Sequence, residues 1–156
     1  MEELVLAKRV FDDADLSTMS FHDVHVWSMV PRAEAFEYLL DLDYIFAWVH
    51  PKAGETHFKF WVAPATMVFE NAYDIALHID SSQGVIEIAD LYTENPGPTR
   101  NGVLTEHTYR FECQEGQISV RATGFKLFPR RGPELRSTQS FDLVERGGIS
   151  FAREMG

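Results

Sequence analysis

The chain has one cysteine, Cys113, so no internal disulfide forms and the bridge-stapled secreted scaffolds are excluded. No apolar run approaches the roughly 18 residues that a membrane-spanning helix needs. The opening Met-Glu-Glu-Leu-Val-Leu-Ala-Lys-Arg-Val is acidic, and its apolar stretch is too short for a secretory leader. The expected location is therefore the cytoplasm. A glycine-rich phosphate loop, a Gly-x-Ser-x-Gly elbow, a Cys-x-x-Cys pair and a His-Glu-x-x-His helix are all missing. Their absence removes the commonest nucleotide, hydrolase, redox and zinc-protease signatures, and no cofactor is implied.

Positive charge is also scarce: 14 Lys and Arg stand against 24 Asp and Glu, a formal net charge of −10. Nucleic acids and anionic membranes are held by Lys and Arg, so neither is an expected partner. The charge is uneven along the chain. From Glu70 to Glu94 there is no Lys or Arg, while Glu70, Asp74, Asp80, Glu87, Asp90 and Glu94 are acidic. From Gln117 to Arg136 the bases Arg121, Lys126, Arg130, Arg131 and Arg136 face one acid, Glu134. A basic protein partner, or self-association pairing the two regions, fits this pattern; a solvated acidic surface that maintains solubility fits it too.

What is present is a domain-sized chain of 156 residues with 12 phenylalanines and 45% hydrophobic residues, enough for one core over residues 1–156. Residues 2–11 read as a short amphipathic helix or an alternating strand, and Asp12 to Thr18 as a turn. Period-two alternation starts at Phe21 and predicts a strand ending before Pro31, with His22, Val24 and Val26 on one face. Leu40, Leu42, Tyr44, Phe46 and Trp48 share a face of a long half-buried strand. The face opposite carries Leu39, Asp41, Asp43, Ile45 and Ala47. Phe58 to Val62 begins a third strand in which Pro64 marks an edge, bulge or boundary.

Further on, Tyr73, Ile75, Leu77 and Ile79 are expected to face the core, and Asp74, His78 and Asp80 to face water. Ser81 to Gly84 predicts a hairpin joining this strand to Val85–Tyr92. Asn95 to Gly102 reads as a surface loop. His107–Cys113 and Ile118–Phe128 form a second hairpin, and a parity slip at Thr123-Gly124 predicts a β-bulge there. Ser140 to Val144 reads as a last short strand. The fold class is mainly β: an antiparallel two-sheet sandwich or a strongly curved sheet, with at most a short N-terminal helix and an open barrel as the second choice.

Two polar constellations and one thiol are the candidates for function. Asp23 and His25 share a strand face about 7 Å apart, as acid/base chemistry would need. His22 points the other way, as a core histidine with a hydrogen-bond partner. Asp41 and Asp43 share a face, close enough to perturb one another or hold a cation, or else to accept hydrogen bonds from a neighbouring strand. An antiparallel pairing with a turn near Arg32-Ala33 would set Asp23 and His25 across from residues 40–42, making the group a structural brace. No metal site is assigned. Cys113 reads as an inert buried thiol, and Trp27, Trp48 and Trp61 as ordinary core or as the lining of a pocket.

Taken together, Phe21-His22-Asp23, Leu40-Asp41-Leu42-Asp43-Tyr44-Ile45, Trp61-Val62-Ala63-Pro64-Ala65-Thr66 and Gly124-Phe125 followed by Gln139 resemble a family of small bacterial proteins of unknown function. The resemblance implies a bacterial cytosolic domain and supplies no catalytic residues. A strand opening with His-Asp in a small acidic β-protein is also similar, in general form, to some immunity proteins of bacterial toxin systems. Two functions follow as expectations. The first is a non-enzymatic binding or inhibitory module with an acidic surface for a cationic protein. The second is a small-molecule-binding or hydrolytic domain with its site near His22, Asp23, Asp41 and Asp43.

Overall fold

A computed structural model describes residues 3–155. Ten strands follow in chain order: β1 (Phe11–Asp12), β2 (His25–Arg32), β3 (Glu37–Val49), β4 (Lys59–Glu70), β5 (Tyr73–Ile79), β6 (Ile86–Pro98), β7 (Thr105–Cys113), β8 (Gly116–Ala122), β9 (Gly124–Pro129) and β10 (Glu134–Arg136). Short 3-10 turns occupy Asp13–Thr18 and Ala33–Ala35. The spatial order is β1-β9-β4-β3-β2-β6-β7-β8-β5, with β10 also beside β4, and the pairings are antiparallel. The protein is therefore mainly antiparallel β, one large sheet that does not close. Among the described residues no helix is long and apolar enough to cross a membrane.

The joint between β2 and β6 is short, with only His25 opposite Glu87 and Val26 opposite Ile86. Residues from both sides of this joint belong to one core. The Phe69 ring of β4 lies 5.2 Å from Tyr109 and 5.9 Å from Phe111, both on β7. Phe21 fills the space beside them, with its ring 5.9 Å from Phe111 and 6.5 Å from Phe125. Each such pair adds roughly 0.5–1.5 kcal/mol beyond the area it buries, and this is where many of the phenylalanines go.

Alternation located most strands but misjudged several partners. Residues 3–10 form no helix, and Asp12 instead caps the 3-10 turn by accepting a hydrogen bond from the Ala14 amide at 2.9 Å. The first long strand starts at His25 rather than Phe21 and runs through Pro31, because Asp23 takes a left-handed backbone (φ 65) that breaks extension. Its register sets Ser28 opposite Asp41 and His25 opposite Asp43, with a shift between Val26 and Ser28. Pro64 lies in the middle of β4, at a boundary of a different kind: the neighbouring strand changes there from β10 to β9. The Pro64 carbonyl accepts from the Arg130 amide at 2.9 Å in that gap, so the missing N–H interrupts no ladder.

The turn at 82–84 forms, but the hairpin expected from it does not. Strand β5 pairs with β8, and β6 pairs with β2 and β7. As an edge strand β5 is only partly covered: Ile75 and Ile79 pack on the core, Asp74, His78 and Asp80 face water, and Tyr73 and Leu77 are exposed against expectation. The segment 95–98, read as loop, continues β6 with a register shift between Glu94 and Gly97. Ser140–Val144 forms no strand; the last one is Glu134–Arg136.

The slip at Thr123-Gly124 is a crossing rather than a bulge. Strand β8 belongs to one half of the sheet and β9 to the other, so core-facing Ala122 and core-facing Phe125 have opposite parity. Gly124 has no left-handed φ. A Cβ there would sit 2.4 Å from Asp13 Oδ1, the same oxygen that accepts the Phe125 amide at 3.3 Å. The glycine is required by close approach.

Candidate functional site

Strand β3 is buried on both faces, not half-buried. One face, with Leu40, Leu42 and Tyr44, joins the main core. The other is covered by the C-terminal segment, whose Phe141 packs with Ile45, Phe60 and Val62. Asp41 and Asp43 lie under that cover with no exposed surface, so a solvated face is ruled out for them. Two carboxylates in such a place require strong compensation, which two arginines supply.

Arg146 donates from Nη2 and Nη1 to the two Asp41 oxygens at 2.6 and 2.7 Å, and from Nε to Asp43 Oδ1 at 3.0 Å. Arg130 adds a bond to Asp41 Oδ1 at 2.7 Å and one to Thr66 Oγ1 at 2.9 Å. The indole N–H of Trp27 and the Phe141 amide both donate to Asp43 Oδ2, at 2.8 and 3.0 Å, and the Ser150 amide donates to Asp41 Oδ2 at 2.9 Å. The expected acceptance of hydrogen bonds by the pair is found. Its donors are arginines, an indole and backbone amides.

Asp23 lies elsewhere, and His25 stands between the two places, opposite Asp43 on one side and Glu87 on the other. Together with Glu87, Phe60 and residues 137–140 they line a small polar cavity of about 290 Å³. The Gln139 amide donates to Asp23 Oδ2 at 2.7 Å, and His22 Nδ1 lies 3.0 Å from Asp23 Oδ1. His22 itself is exposed, not a core histidine, because the turn at 21–24 rotates it outward. Burial holds Glu87 above the usual carboxylate range, and its hydrogen bond to Asp23 and the charges of Asp23 and Glu115 raise it further. Burial likewise lowers His25, with the Arg146 charge adding to that effect and Asp43 opposing it. Glu115 is tied in by accepting the Glu87 amide at 2.8 Å. The group is a set of crowded acids around a cavity that no lysine or arginine lines.

Sequence reasoning thus grouped five residues that the fold divides between two places. Asp41 and Asp43 belong to the buried brace, while His22, Asp23 and His25 belong to the mouth of the acidic cavity. Glu87 and Arg146 were missed as partners, the first inside an acidic run and the second inside a polar tail; only Gln139 had been picked out, by motif. None of the three tryptophans lies in the buried core. Trp27 stacks beneath the Arg146 guanidinium at 5.0 Å, and Trp48 packs on Phe60 at 4.9 Å.

No family model, curated protein or solved structure matches this chain.

The basic stretch 117–136 is engaged internally. Arg121 pairs with Glu106, Lys126 with Glu70, Arg130 with Asp41, and Arg136 with Glu145. The acids Asp74, Asp80 and Asp90 remain exposed and form no ion pair among the described residues. Asp90 even stands directly opposite Glu112 across the β6–β7 ladder, a like-charge juxtaposition that destabilises a sheet.

Proposed function

We propose that the protein is a non-enzymatic binding module for a basic protein segment, which inserts a lysine or arginine side chain into the cavity formed by Asp23 and Glu87. The observation that carries this reading is the carboxylate pair itself: Asp23 and Glu87 crowd one another in a polar cavity with no cation among its lining residues. Two adjacent carboxylates short of positive charge are stabilised by an incoming ammonium or guanidinium group. The hydroxyls of Ser137, Thr138 and Ser140 on the cavity wall offer acceptors for its remaining N–H groups. The neighbouring acids Glu115, which accepts the Glu87 amide, and Asp80, bonded to the Glu115 backbone, accelerate encounter with a basic chain.

The test is calorimetric titration with a lysine- and arginine-rich peptide at low and high ionic strength. Binding is expected to weaken with salt. The Asp23→Asn/Glu87→Gln variant is expected to lose about tenfold in affinity, as for one charge-assisted hydrogen bond. A control variant of equal net charge, Glu34→Gln/Asp74→Asn, is expected to lose little. Equal losses in the two variants, or binding insensitive to salt, would overturn the proposal.

A further inference from the structure

A second cavity, about 700 Å³ and sharing no lining residue with the acidic one, lies between the turn that joins β2 to β3, the start of β5 and the tip of the β6–β7 hairpin. Its volume is in the range of small-molecule sites. Apolar contact comes from Phe36, Ala72, Tyr73 and Leu104, and the only charged lining residues are Arg100 and Glu106.

Phe36 is the anomaly. It adopts a left-handed backbone, φ 56 and ψ 40, a conformation that costs an L-residue roughly 1–2 kcal/mol and is a genuine outlier for a bulky side chain. Glycine or asparagine fills such a position without strain. Nor does burial repay it, since Phe36 is 67% exposed. Its carbonyl accepts the Ala72 amide at 2.7 Å, which fixes this turn against the neighbouring one, where Asn71 is also left-handed. Strain of this kind in a rigid setting marks ligand sites. Leu104 and Tyr73, each about half exposed, extend the apolar surface.

The charges set the ligand's polarity. Glu106 is 8% exposed and already compensated: the Tyr73 hydroxyl donates to it at 2.5 Å and Arg121 Nε lies 3.3 Å away. Arg100, like Arg9 and Arg32, forms no ion pair among the described residues, whereas the arginines at 110, 121, 130, 131, 136, 146 and 153 all do. The cleft therefore has one uncompensated positive charge beside an apolar floor, in a chain of net charge −10.

We propose that this cleft binds an amphiphilic organic anion, with a hydrocarbon body on Phe36, Tyr73 and Leu104 and a carboxylate on Arg100. The site is independent of the acidic cavity and of the function proposed for it. Octanoate and octanol, titrated separately and followed by chemical shift changes in the full chain, supply the test. Octanoate is expected to bind saturably and about tenfold tighter than octanol, the difference of one charge-assisted bond. Arg100→Gln is expected to abolish that preference and leave octanol binding unchanged. Phe36→Gly is expected to weaken both ligands while the melting temperature stays level or rises, because the strain is relieved. Equal affinity for the two ligands, no saturable binding, or unchanged octanoate affinity in Phe36→Gly would overturn the proposal.

Discussion

Arg146 reaches back over 105 positions of chain to Asp41, meeting both carboxylate oxygens at 2.6 and 2.7 Å. Both side chains are fully enclosed, so the attraction acts in a medium of low polarisability. Through this contact and the bond to Asp43, the C-terminal segment is locked across the outer face of β3. Phe141 covers Ile45 and Val62 beside it.

Removing one side of this lock strands charge. Arg146→Met leaves Asp41 and Asp43 buried with Arg130 as their remaining guanidinium, and a loss of about 3–5 kcal/mol in chemical denaturation is expected. A loss under about 1 kcal/mol, the scale of exposed pairs, would show that the enclosure is not maintained in solution. Asp43→Ala is expected to be severe as well, since it orphans the Trp27 and Phe141 N–H groups together.

Gly124→Ala directs a methyl group into the Asp13 carboxylate and is expected to break its bond to the Phe125 amide. The two substitutions should couple. In an Asp13→Ala background the same change at 124 is expected to cost markedly less, by at least about 0.5 kcal/mol. Additive costs would remove Asp13 as the reason for the glycine.

His25 predicts the response to mild acid. Its folded value lies below the ordinary 6.5, chiefly through burial, so the unfolded chain takes up a proton more readily. Its contribution to stability is complete above the unfolded value and is lost as pH falls through the folded one. Melting temperature plotted against pH is expected to decline more gently below 6.5 in His25→Gln than in the native chain. Parallel curves would show that His25 is not the group responsible. The lowered carboxylates Glu94, Glu106 and Glu145 act in the same direction, but at more acidic pH.

Cys113 is predicted to be silent. Burial pushes its thiol up to about 12, leaving almost no thiolate at neutral pH. An aromatic disulfide reagent is expected to label the chain only after denaturant is added. Rapid native labelling would mean that β7 opens readily.

Much of the strand content and the mainly antiparallel class were legible in the sequence. Alternation over Leu40–Tyr44 and Ile118–Ala122 reports which side chains share a face, and that is a property of the extended backbone alone. The β7–β8 hairpin was legible too, because a turn of two residues leaves the neighbouring strands little choice. The acidic character around Glu87 was visible as charge. The partners were not: the Ser81–Gly84 turn looks like a hairpin locally, yet β5 pairs with β8, since pairing over long separations is chosen by how the two faces close on a common core. The fates of Asp41 and Asp43 were hidden for the same reason. Whether a polar face meets water or a buried guanidinium depends on a segment about a hundred residues away, and no local periodicity carries that information. Composition and alternation determined that this chain forms antiparallel strands around an aromatic core. Only the tertiary structure decided that one pair of its carboxylates is sealed by Arg146 while another, Asp23 and Glu87, is left at the wall of an open acidic cavity.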